Sequence, residues 1–239
     1  MPKYNRYDRF DLIHPLPRYI KRDIFDIPFV EKQDIDLDLL NNGIYLTGIQ
    51  NISNKDKYSK HKIIHCYKEN NVLNKLYDHP LKYIDKIGRY YAICTPDFSA
   101  HNSMDWHGLY DAVYKNRYCG ALWQIQGMIV CPTIQWTNKK YYDLFFSGIR
   151  PNSMVSISTL GVNNEKCRKD FLDGYRELRK RFNPKLIICL GRPVEGMDIS
   201  NIVFFPYEES FGNMISNNGY YQPSLFNYKM EVQNEFKRY

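Results

Sequence analysis

The order of apolar and polar positions divides the chain into short apolar runs separated by amphipathic stretches. The runs are "GIYLTGI" (43–49), "IIHCY" (63–67), "RYYAICTPDF" (89–98), "GMIVCPTIQW" (127–136), "SMVSISTLG" (153–161), "KLIICLG" (185–191) and "NIVFFPY" (201–207). Several are continuously apolar rather than alternating, as in strands covered on both faces by helices. Between them the apolar spacing turns helical. Leu73, Leu76 and Tyr77 share one face, as do Leu81, Ile84 and Ile87, then Leu109, Ala112, Val113 and Asn116. "KKYYDLFFSGI" predicts a short helix or turn. The clearest helix is "NEKCRKDFLDGYRELRKRF", where Cys167, Phe171, Tyr175, Leu178 and Phe182 recur at the helical period. Asn164 suits its N-cap, Glu165 its positive end, and Arg179, Lys180 and Arg181 its negative end. Strand, helix and strand in repetition predict an α/β protein with a mostly parallel sheet flanked by helices. A half or full βα barrel is the alternative topology.

This rhythm occupies residues 41–210, the expected core domain. Residues 1–40 are punctuated by Pro15, Pro17 and Pro28 and predict an irregular N-terminal arm packed on the domain. Residues 211–239 form a tail, with a Gly/Asn/Pro stretch followed by an amphipathic "FNYKMEVQNEFKRY". The arm opens with "PKYNRYDRF", which alternates basic and aromatic residues. Lys3, Arg6 and Arg9 are therefore candidates for contact with a nucleic-acid strand by charge and stacking. Packing of these side chains on the domain is the competing explanation.

Composition narrows the class. At 44% hydrophobic residues the chain can bury a core, which excludes intrinsic disorder. A net charge of +7 is compatible with DNA or RNA as a partner without requiring either. The six cysteines form no C-x-x-C pair, and Cys94, Cys131 and Cys189 sit in apolar runs, so neither a zinc site nor a disulfide framework is expected. His61 and His65 stand four apart, but in a strand-like context that spaces them poorly for one metal; no metal site is expected. The N-terminus shows no apolar signal-type run, and no stretch reaches 18 apolar residues, which points to a cytoplasmic protein without membrane association. Phosphate-loop, dinucleotide, nucleophile-elbow and zinc-protease motifs are all missing, and no cofactor is identified.

In open parallel sheets ligands bind at the carboxyl ends of the strands. Those ends collect the residues able to do chemistry. Asp97 and Ser99 end one run, Gln135 and Trp136 the next. Ser158 and Thr159 end a third, just before Gly161 and a helix. Gly191 and Arg192 end a fourth, and Glu208 and Glu209 follow the last. Asp97, Ser99 and Glu208 are the catalytic candidates. Trp136 would stack on a ligand; Ser158, Thr159, Gly161 and Gly191 would cradle a phosphate, with Arg192 neutralising its charge. Each has a structural alternative: Asp97 could bond only turn amides, Ser158 and Thr159 only backbone, and Trp136 could be core. His101 and His107 flank the Asp97 loop as possible bases.

The segments "GRYYAICTPDFS", "QIQGMIVCPTIQW", "DLFFSGIRPNSMVSISTLG" and "LIICLGRP" resemble the family termed domain of unknown function 4417, over roughly residues 20–210. The resemblance implies a protein of phages and mobile elements of low-GC Gram-positive bacteria, and no particular activity. The expectation is therefore a phage or mobile-element protein associated with nucleic acid, as a replication or DNA-processing accessory. The alternatives are an enzyme or sensor for a nucleotide-sized ligand at the strand ends, and a non-catalytic protein that binds and inhibits a host or defence factor.

Overall fold

The computed structural model describes residues 9–33, 36 and 44–206. Lys3, Arg6, Glu208, Glu209 and the 211–239 tail lie outside the described residues. Seven strands form: β1 (Tyr45–Gly48), β2 (Lys62–His65), β3 (Ala92–Cys94), β4 (Val130–Cys131), β5 (Met154–Ser158), β6 (Leu186–Leu190) and β7 (Ile202–Phe205). Among the described residues six α-helices accompany these strands: α1 (Phe10–Ile13), α2 (Asn70–Asp78), α3 (Ile84–Ile87), α4 (Trp106–Ile125), α5 (Tyr142–Phe145) and α6 (Glu165–Phe182). The expected helix at 81–87 is reduced to the single turn of α3.

All pairings are parallel. β1 to β4 are neighbours in chain order, and so are β5 to β7. β4 ends at Cys131 on the β3 side because Thr133 N donates to Thr95 Oγ1 (2.7 Å), and Pro132, which faces β5, has no N–H to lengthen the ladder on that side. The sheet is nonetheless carried across: Ser156 N donates to Pro132 O (2.9 Å), Ile134 N donates to Ser156 O (2.8 Å), and Thr133 pairs with Ser156 in parallel. The strand order is thus sequential from β1 to β7, without the reversal that creates a switch point in doubly wound sheets.

The two faces of the sheet differ. Ile64, Ile93 and Val130 pack with residues of α2 and α4, and Val155, Ile157, Ile187, Cys189, Ile202 and Phe204 pack with α4, α5 and α6. The alternate positions meet no helix among the described residues. Leu46, Ile63, Ala92, Cys94, Cys131, Met154, Ile188, Val203 and Phe205 instead form one cluster with each other, all buried. A buried face drawn from all seven of these strands, with no helix against it among the described residues, fits a sheet that curls onto itself. Tyr67, just past β2, confirms the curl: its hydroxyl lies 2.6 Å from Ser156 Oγ in β5, three strands away in the sheet. Among the described residues β1 and β7 share no ladder, so the curl is an open half-barrel and not a closed one. Among the described residues helices cover one face of the sheet rather than the expected two, and the alternate apolar positions fill the curled interior instead.

Helix α4 extends seven residues past the "WHGLYDAVYKNRY" stretch, through "CGALWQI". That segment is apolar on every side, as in a helix buried all round. The reason is a sandwich. An added Cβ on Gly120 would stand 2.7 Å from both Thr95 Cγ2 of the sheet and Val30 Cγ2 of the arm. Residues 9–33 lie across the outer side of α4, where Val30 and Leu16 join the α4 cluster, and Tyr118 donates to His14 O (2.7 Å).

Candidate functional site

A cavity of about 730 Å³ opens over the carboxyl ends of β2 to β5. Its size suits a ligand of nucleotide scale. Asp97, Ser99, Trp136, Ser158 and Gly161 line it, so five of the strand-end candidates do share one space. Tyr67, Glu69, Gln135, Thr137, Cys167 and Asp170 complete the part with chemical capacity. Tyr67 and Glu69 follow an apolar run without a turn signature, and Asp170 lies on the charged face of α6. Only the curl of the sheet brings them in.

Asp97 is the most unusual group. It ends the extension of β3, where its N–H donates to Cys66 O (3.2 Å). One face of the residue opens to the cavity, while Oδ1 is sealed from solvent and has no hydrogen bond among the described residues. With no turn amide reaching Oδ1, burial dominates and pushes the carboxyl up to about 7. A carboxylic acid that titrates near neutrality can both donate and accept a proton under physiological conditions. Thr137 Oγ1, on the same wall, is likewise buried without a partner among the described residues.

The position of Asp97 is set from below. Asn116 of α4 donates to Pro96 O (2.7 Å) and Thr133 O (3.1 Å) and accepts from Thr95 Oγ1 (2.7 Å). Thr133 N donates to Thr95 Oγ1, and Thr133 Oγ1 donates to Thr95 O, both at 2.7 Å. The exits of β3 and β4 are therefore pinned to each other and to the helix. The side of the loop is held by Asn70, whose Oδ1 accepts from Ser99 N (2.9 Å).

Trp136 is a wall rather than a free platform. It packs on Phe171 of α6, with ring centroids 5.3 Å apart, and on Phe146. Gly174 makes room for it: an added Cβ would lie 2.2 Å from the indole. Alanine favours a helix over glycine by about 1 kcal/mol, but the overlap should cost more, about 1–3 kcal/mol. Gly174→Ala is expected to lower the melting temperature and shift tryptophan fluorescence as the indole is displaced toward the cavity. A stabilised variant with an unchanged spectrum would show that the wall is not tight.

The residues expected to cradle a phosphate are divided, with Ser158 and Gly161 in the cavity lining and the others outside it. Ser158 Oγ donates to Leu190 O (3.1 Å) and accepts from Leu160 N (3.1 Å), and Thr159 Oγ1 donates to Arg192 O (2.8 Å). Both hydroxyls are thus occupied with backbone, in line with their structural alternative. Thr159, Gly191 and Arg192 lie outside the cavity lining. Gly191 has a packing reason to be glycine: at φ +119° a Cβ would fall 2.1 Å from Thr159 Oγ1. Arg192 is exposed, one strand beyond the cavity mouth. Arg9 is engaged in the arm, contacting Asp11 (3.1 Å), Asp111 (3.4 Å) and the Tyr77 hydroxyl (3.2 Å). His101 lines the cavity and meets Ser103 Oγ (2.7 Å). His107 does not line it. No group of three or more His, Cys, Asp or Glu suited to a metal occurs among the described residues.

The architecture is that of an α/β protein with a sequentially ordered parallel half-barrel and a strand-end cavity. Residues 21–208 match the family model described as Domain of unknown function (DUF4417), and the chain belongs to that family. It is 32% identical over 146 residues to the Gene 1 protein of Mycobacterium phage L5, covering 60% of this chain and 64% of that protein. It is also 32% identical over 130 residues to the Gene 1 protein of Mycobacterium phage D29, covering 54% of this chain and 48% of that one. The chain thus spans between about half and two thirds of these phage relatives. No solved structure matches it. No helix among the described residues is long and apolar enough to cross a membrane.

Proposed function

We propose that this phage-family protein binds a small ligand in the strand-end cavity and that Asp97 exchanges a proton with it, as an enzyme or as a sensor. The observation that carries this reading is Asp97 itself, a carboxyl that lines the cavity at a strand end while one of its oxygens is buried without a partner among the described residues. Such a group costs stability and is retained where function uses it. The supporting frame, Asn116 with Thr95 and Thr133, spends a buried network on holding the residue's backbone in place. A thermal-shift screen of small metabolites tests it. At least one compound class should raise the melting temperature of the native protein and lose its effect in Asp97→Asn. Hits that act equally on both proteins would place binding elsewhere and end the proposal.

The nucleic-acid role is a second reading, favoured by the +7 net charge. Phosphate contacts release counterions, so any such binding should weaken steeply with salt. Gel shifts on single- and double-stranded DNA and RNA should then show complexes at low salt that vanish as salt rises. An absence of complexes at low salt would remove this reading. The inhibitor reading rests on the tail at 211–239, outside the described residues.

A further inference from the structure

We propose that the cavity recognises a cation, an ammonium or guanidinium group, rather than a phosphate; this rests on the reading that the cavity is a ligand site. Its lining carries three carboxylates, Glu69, Asp97 and Asp170, and none of them has a salt bridge among the described residues. Asp97 and Thr137 both line the cavity, and each carries a buried oxygen without a partner among the described residues, so no donor of the protein neutralises this part of the lining. Of the groups expected to suit an anion, the Ser158 and Thr159 hydroxyls are bonded to carbonyls and Arg192 lies outside the lining, which leaves Lys68 as the lysine of this cavity.

The neighbouring surface continues the same sign. A second cavity of about 420 Å³ shares Asn102, Thr137 and Asp170 with the first and adds Asp173 and Glu177, one and two turns further along α6. Asp173 and Glu177 are already paired with Arg176 and Arg181, so they add to the field without being free to coordinate. Lys68 and Lys139 are the basic residues along these two cavities. Aromatic residues complete the surroundings, since Tyr67, Trp136 and Phe171 line the first cavity, and ring faces attract cations. A chain of net charge +7 thus concentrates carboxylates where the strands end. The carboxylates along these two cavities outnumber the lysines, which favours an amine over a phosphate.

The shared chemistry could come from a free amine or from a lysine or arginine side chain of a polypeptide, and two probes separate them. Calorimetric titrations at low salt would use agmatine, a blocked arginine tripeptide, inorganic phosphate and adenosine monophosphate. Agmatine or the tripeptide should bind the native protein, the tighter of the two identifying the source. Affinity should fall at least about tenfold in Asp97→Asn, where a charge-assisted bond is lost. In Glu69→Gln combined with Asp170→Asn, both at exposed positions that should leave folding intact, it should fall about fivefold. Binding of phosphate or the nucleotide that depends on Asp97, with no response to either cation, would overturn the cationic assignment and leave the cavity reading standing. Silence from all four probes, with no hit in the wider metabolite screen, would remove both.

Discussion

Replacing Arg117 with alanine should destabilise the fold by about 3–5 kcal/mol, the range for breaking a buried charged network. Arg117 is 2% exposed, in the middle of α4. Its guanidinium donates to Ser147 O (2.9 Å), Thr133 O (2.9 Å) and Phe145 O (3.0 Å), and also to Asn116 Oδ1. One side chain therefore satisfies carbonyls at the end of α5 and at the exit of β4. No carboxylate forms a salt bridge with it among the described residues. Burial lowers its pKa to about 9, opposed by the more distant charge of Asp23, so the group stays ionised at neutral pH. Methionine fills the space but leaves the carbonyls without donors, and lysine reaches too few of them. Chemical denaturation should rank native, lysine, methionine and alanine in falling stability. A methionine variant as stable as the native protein would mean that the hydrogen bonds contribute nothing beyond offsetting the buried charge.

Asp97→Asn should do the opposite, and only at neutral and alkaline pH. Asp97 titrates at about 7 in the folded protein against 3.8 as its ordinary value. The folded state then holds the proton more tightly than the unfolded one. The stability contributed is full below about pH 4 and is lost as pH rises through 7. A displacement of that size corresponds to about 4 kcal/mol. Water reaching the open side of the residue screens part of it, and about 2 kcal/mol is expected. The asparagine protein cannot ionise there. It should melt about 4–8 °C above the native protein at pH 8 and converge with it near pH 4–5. Parallel melting curves across this range would show that the carboxyl titrates normally, and the proton-exchange role would lose its basis.

The two substitutions bear on one device seen from opposite sides. Arg117 and Asn116 are neighbours on α4, and together they hold the strand exits that carry Asp97 and Trp136. Asn116 was visible in the sequence as a polar residue on an otherwise apolar helical face. Arg117 gave no such signal, because an arginine next to that face reads as solvent-facing. Its burial follows from the arm and the residues of α5 closing over α4, which are contacts distant in the chain.

By itself the sequence determined the parallel α/β class, the positions of the strands along the chain and the N-cap of α6 at Asn164, whose Oδ1 accepts from Cys167 N (2.9 Å). These depend on neighbours within one or two turns, where periodicity and capping chemistry act. It also placed Asp97, Ser99, Trp136, Ser158 and Gly161 at strand ends. Which strand ends face each other was decided only by the tertiary structure, through the curl of the sheet. That curl brought Tyr67 against Ser156, drew Glu69 and Asp170 into the cavity and left Arg192 outside it. The Ser158 and Thr159 hydroxyls are taken up instead by carbonyls at the exit of the adjacent strand β6, a pairing that the strand order decides. Local pattern fixes which residues leave the sheet at one edge; curvature, a sum over all seven strands and their packing, fixes which of them meet.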